Sequence, residues 1–239
     1  MSMATLRSQS RSYRHHLVSR KPRMAVAIIG DVVASRTLEQ KRRSKVQVRL
    51  EMLLEKLNHR YREAIGADFL VTLGDEFQGV IVTAQIIPSL IWDIESELRD
   101  IDMRLALGFG KLNPPFKRIA LGMDGPAFHN ARAALELSPK RRIRGGVFLG
   151  FDEDDLVLNG FARVLRYVRE RLTERQFSTL GLLRQGRKQA QVAERLGVTR
   201  QMISSRVRGG GLEAYTEAEE GWKTVLNKYD VAEQWRGRR

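Results

Sequence analysis

The sequence predicts an α+β protein: a ferredoxin-like sheet with helices on one face, followed by a small all-α helix-turn-helix unit. Three observations carry that expectation. Apolar runs at 25–30, 69–73, 80–82 and 104–110, bounded by Gly or Asp, have the length and punctuation of buried strands. The segments 38–65 and 88–101 repeat apolar residues at spacings of three and four, the period of an amphipathic helix. Beyond residue 172 come short amphipathic segments separated by polar and glycine turns.

Each element has its own justification. Residues 25–30 form the first strand. Val46, Leu50, Leu53, Leu54, Leu57, Tyr61 and Ile65 give the next segment one apolar face, and Gly66 is placed to end that helix. The stretch 69–82 reads as a hairpin with the tip Gly74-Asp75-Glu76. Pro88 stands where the first turn of a helix tolerates a missing N–H, and Leu90, Ile91, Ile94, Leu98 and Ile101 line that helix. A fourth strand at 104–110 is expected to stop at its glycines. The order is β-α-β-β-α-β, the ferredoxin-like arrangement. Past Pro114-Pro115, a helix is expected over 127–137, a short strand over 147–151 and a helix over 157–171. The run Asp152-Glu153-Asp154-Asp155 caps that last helix and faces solvent. The chain is expected to divide into a disordered basic arm at 1–23, the α+β unit at 24–155, and the helix-turn-helix unit with a C-terminal helix at 156–239.

Composition narrows the function classes. The chain has 239 residues and no cysteine, which excludes disulfides, thiolate zinc sites and a cysteine nucleophile. No run approaches the roughly 18 apolar residues that cross a bilayer, so no membrane partner is expected. The first 23 residues hold six basic side chains and no acid, without the apolar stretch of a secretory signal, and a cytoplasmic location is expected. The net charge of +14 is uneven: residues 166–208 carry eleven basic and three acidic side chains, while 24–165 are nearly balanced. A concentrated basic block points to a local polyanion surface.

The carboxylates carry the chemistry. In a ferredoxin-like sheet the first strand and the first hairpin arm are parallel, with the second arm between them. Asp31 and Asp75 then leave the same edge of the sheet. Carboxylates gathered there repel one another and call for a cation, and hard oxygen ligands favour magnesium or calcium over softer metals; magnesium, or manganese in its place, is the expected cofactor. Asp31 and Asp75 are the candidate metal ligands and Glu76 a candidate third acid. A turn or cap role is the plainer alternative for Asp31 alone.

Several motifs carry a resemblance. Gly30-Asp31-Val32-Val33-Ala34-Ser35, Gly74-Asp75-Glu76-Phe77, Leu107-Gly108-Phe109-Gly110 and Ala131-Arg132-Ala133 make residues 24–137 similar to the palm-type catalytic domain of class III nucleotidyl cyclases. The hairpin is also similar to that of diguanylate cyclases. The whole chain resembles the SatD family, which pairs such a domain with a C-terminal helix-turn-helix. The resemblance implies metal aspartates at Asp31 and Asp75, assistance from Glu76, and Arg132 facing a polyphosphate. Arg36, Asp124 and Asn130 join Arg132 as candidate nucleotide contacts. Phe128 stands where cyclases have an asparagine, and Val71 where they have an adenine-reading lysine, so the base is not read.

In the basic segment, Thr173 is placed to cap a helix whose Phe177, Leu180 and Leu183 face inward. Ala193, Gly197, Val198, Ile203 and Val207 give the small residue, glycine turn and inner apolar face of a helix-turn-helix. Thr199, Arg200, Gln201, Ser204, Ser205 and Arg208 are the candidate DNA contacts, since such side chains reach base edges and phosphates. A last helix over 213–231 either packs on this unit or pairs with a second copy. Two functions follow as expectations. One is a magnesium-dependent nucleotidyl cyclase or transferase acting on a nucleoside triphosphate and tied to DNA. The other is a non-catalytic, nucleotide-sensing transcriptional regulator.

Overall fold

The computed structural model describes residues 21–33, 40–72, 75–140 and 145–236; most of the expected basic arm, and Arg36, lie outside them. In chain order the elements are β1 (Arg23–Val32), α1 (Gln40–Arg60), β2 (Ile65–Val71), β3 (Glu76–Ile81), α2 (Ile87–Glu97), β4 (Met103–Leu112), α3 (Pro126–Lys140), β5 (Gly145–Leu149) and α4 (Asp155–Arg171). Then come α5 (Glu174–Leu183), α6 (Gln189–Leu196), α7 (Arg200–Gly209), α8 (Leu212–Leu226) and short 3-10 turns at Asn227–Tyr229 and Ala232–Trp235. The sheet runs β2-β3-β1-β4-β5, antiparallel except for the β4–β5 pair. Its first four strands have the expected ferredoxin-like order, and β5 extends it at one edge.

Helices cover both faces of the sheet, not one. Val26, Ile28 and Val32 of β1 join the core formed with α1 and α2, while Ala25, Ala27 and Ile29 join a second core with Ala127, Ala131 and Ala134 of α3 and with Phe116 and Trp235. The reason lies in β1 itself. Its run is apolar at every position from 25 to 29, and a strand without polar alternation is one buried on both sides. The glycines of β4 do not end the strand. A Cβ on Gly108 would lie 2.2 Å from the Ala127 carbonyl oxygen, so its absence lets α3 lie directly on the sheet. Gly66 likewise does not end α1, which stops at Arg60. It sits inside β2, where a Cβ would press on Val82 at 2.7 Å and on the Trp235 ring at 3.3 Å.

The α2-side core continues from the sheet into the C-terminal helices, through Leu180, Val192, Ile203, Val207, Trp222 and Leu226. At this seam Trp92 of α2 stacks on Phe177 of α5, with ring centroids 4.8 Å apart. Arg184 lies 4.3 Å from the centre of the Trp92 ring and pairs with Glu219 of α8; both charged side chains are buried. Arg166 donates to Glu95 at 2.7 Å, and Arg169 pairs with the same carboxylate.

The run 152–155 is less solvated than expected. Asp155 accepts the Gly150 and Phe151 N–H groups of the preceding turn and does not cap α4, and Asp152 and Glu153 are exposed. Asp154, however, is buried because Lys228 and Tyr229 from the tail donate to it at 2.9 and 2.8 Å. Past that point Trp235 donates to the Met24 carbonyl, and Gln234 accepts the Met24 N–H. No helix among the described residues is long and apolar enough to cross a membrane.

Candidate functional site

The candidate site follows from register. Asp31 of β1 lies opposite Glu76 of β3 and opposite Arg104 of β4, and alternation puts all three on the face that α3 covers. Arg104 pairs with Asp31, and both are largely shielded, at 24% and 17% side-chain exposure. Arg132, the residue after Ala131 in α3, reaches down to Glu76 with two parallel bonds of 2.6 and 2.8 Å. That bidentate geometry is the strong form of an arginine–carboxylate pair, and the bond to Glu76 raises the Arg132 pKa further above its ordinary value. Thr72 of the hairpin donates its hydroxyl to the Glu76 backbone oxygen at 3.2 Å, closing the tip. The outcome is a polar row across the strands, two carboxylates and two guanidiniums, formally neutral.

The second candidate surface is the stretch from α6 to α7. Gly197 ends α6 in the left-handed region (φ 63°), where a side chain would be strained. Thr199 then caps α7 by accepting the Met202 N–H at 3.2 Å. Ile203 and Val207 are buried, while Thr199, Arg200, Gln201, Ser205 and Arg208 are exposed and Ser204 is half-buried. Ahead of them, Thr173 caps α5 as expected, and with Gln176 it makes both bonds of a capping box.

A model of the SatD family matches residues 25–226. The chain belongs to the SatD family. A comparison with curated proteins gives no match. Among solved structures, a bacterial light-regulated adenylyl cyclase aligns at 16% identity and a TM-score of 0.44, over 54% of this chain and 76% of that one. The guanylyl cyclase Cya2 aligns at 11% identity and a TM-score of 0.38, over 49% of this chain and 71% of that one.

In this SatD-family chain the predicted residues fall into three groups. Asp31, Glu76 and Arg132 share the polar row. Asp75 is adjacent, in the turn one residue before β3, and its carbonyl accepts the Val32 N–H at 3.3 Å; Glu76 holds the position opposite Asp31. Asp124 and Asn130 are occupied elsewhere. Asp124 pairs with His129 at 2.9 Å in the open, and Asn130 donates to the Phe109 carbonyl, tying α3 to β4. Arg36 lies outside the described residues. Arg104 was missed by sequence reasoning, although a signal for it exists: in an antiparallel pairing of 25–31 with 104–110, an arginine at the start of one strand meets an aspartate at the end of the other.

Proposed function

We propose that this SatD-family chain is a nucleotide-responsive DNA-binding protein, in which 24–155 bind a nucleotide and 156–239 bind DNA. The observation that carries the proposal is the neutral row Arg104–Asp31–Glu76–Arg132. Arg132 is about half exposed (47%) and able to leave Glu76 for a phosphate group, whereas the shielded Arg104–Asp31 pair stays in place. Polyphosphate oxygens compete for the same two guanidinium edges as the Glu76 carboxylate.

A magnesium ion fits this donor set in one way. Among the described residues no group of three or more His, Asp or Glu could hold a metal. Magnesium, however, is commonly bound by one or two carboxylates together with substrate phosphates. Asp31 and Glu76, with Asp75 beside them, would hold an ion arriving with the nucleotide, where it supplies neutralisation of phosphate charge. The chain's own residues do the rest: Arg132 orients the phosphate, Asp31 keeps Arg104 in place, and Thr72 fixes the hairpin tip. DNA binding is supported by the exposed, basic and hydroxyl-bearing face of α7 and by the positive charge concentrated at 166–208.

Calorimetric titration of each of four nucleoside triphosphates in magnesium tests the nucleotide half. Arg132→Ala is expected to weaken binding about ten- to a hundredfold, the worth of a charged hydrogen bond. Binding that survives the substitution unchanged refutes the site. Gel-shift titration at low salt tests the other half, with Arg200→Ala expected to weaken DNA binding. Catalysis is the second reading. It is favoured by the in-register placement of Asp31 and Glu76 on one face, and pyrophosphate release that Asp31→Asn abolishes would establish it.

A further inference from the structure

One face of α4 has no partner among the described residues. Val157, Gly160, Val164, Tyr167 and Arg171 are all exposed, and with Glu153 in the preceding turn they follow spacings of four and three, a helix-pairing stripe. Leu156, at 83% exposure, flanks it. The opposite face of α4 is fully engaged, with Leu158, Ala162 and Leu165 buried.

We infer that this stripe is a homodimer surface, on which α4 pairs antiparallel with α4 of a second copy. The stripe is complementary to its own reversal. With the two-fold axis passing at position 162, Gly160 meets Val164, Val157 meets Tyr167 and Glu153 meets Arg171 of the other copy. Each pairing sets small against large or acid against base. The end charges favour the same orientation, because the entry to α4 holds the exposed Asp152 and Glu153 and its last turn the exposed Arg171, while the exposed Glu170 there is already paired with Arg166 at 2.7 Å. A parallel arrangement would stack like charge on like. Among the described residues, nothing outside the helix's own local backbone lies within 4 Å of a Cβ built at Gly160, so the second helix can approach closely at the centre. An isologous contact of this kind closes as a dimer and does not propagate. The surface is separate from the polar row and from α7, and the inference stands whether or not either of those binds its proposed ligand.

Light scattering on the full chain across a concentration series is the first test. The expected mass is twice the 27.3 kDa of one chain, falling to one chain on dilution. Val164→Glu, at an exposed position, is expected to raise the dissociation constant about tenfold or more with an unchanged far-UV spectrum. The register is tested by thiols. Because the chain has no cysteine, Val157→Cys combined with Tyr167→Cys supplies the only two, roughly 15 Å apart along one helix and able to meet only between copies. Oxidation is expected to give a covalent dimer, and each single variant much less of it. A wild-type chain that stays monomeric, a dimer indifferent to Val164→Glu, or a dimer that the paired thiols do not cross-link would each overturn the inference.

Discussion

Arg104 shows how one side chain holds the candidate site without having been visible beforehand. Its guanidinium neutralises Asp31, and its Nε is buried without a hydrogen-bond partner among the described residues. Replacing it with methionine keeps the length and removes the charge, leaving a shielded carboxylate uncompensated. The expected loss is about 1–3 kcal/mol of stability, measured by urea unfolding, less than for a fully buried pair because both groups still touch solvent. Asp31 and Glu76 were legible because acids at strand ends stand out against an apolar run. Arg104 was not, and Arg132 was named only through the family resemblance with its bond to Glu76 unseen, because the two come from a neighbouring strand and a covering helix that only register and crossing geometry bring in.

Elements were legible where periodicity was clean and misread where one residue type serves two purposes. Glycine is the clearest instance. Gly66 and Gly108 read as stops, yet both lie inside strands and make room for Trp235 and α3. Gly108→Ala therefore forces a methyl group against helix backbone that cannot step aside, with an expected cost of about 1–3 kcal/mol or more in the same unfolding assay. Entry into α4 gives a pH prediction. Hydrogen bonds from Lys228, then Tyr229, hold the Asp154 carboxyl below the usual carboxylate range. A depressed folded-state value means that this stabilisation is complete above the ordinary carboxylate pKa of about 3.9 and is lost as pH falls below it. The stability gap between the wild type and Asp154→Asn should be widest near neutrality and close on acidification. A gap that widens in acid would contradict the assignment.

At the scale of the whole molecule, the sheet and the C-terminal helices share one apolar core, sealed by Trp92, Phe177 and the Arg184–Glu219 pair. Unfolding followed by tryptophan fluorescence and by far-UV circular dichroism should therefore coincide in a single transition. Arg184→Ala should lower its midpoint sharply, at about 3–5 kcal/mol, since it strands Glu219 in the interior. Two separated transitions would show that the seam does not couple the parts. Nothing in the sequence marked this seam. Trp92 and Glu95 look like ordinary members of an amphipathic helix, and what they meet is set by how α4, α5 and α8 fold back.

The latch between Gln234, Trp235 and Met24 spans more than two hundred positions, linking β1 to the 3-10 turn at Ala232–Trp235. While the polypeptide is still emerging from the ribosome, the flank of β1 and β2 waits for Trp235 to cover it. A nascent chain stalled before that tryptophan presents Phe116 and the Gly66 hollow to water, and is a natural client for holding chaperones until translation delivers the ring.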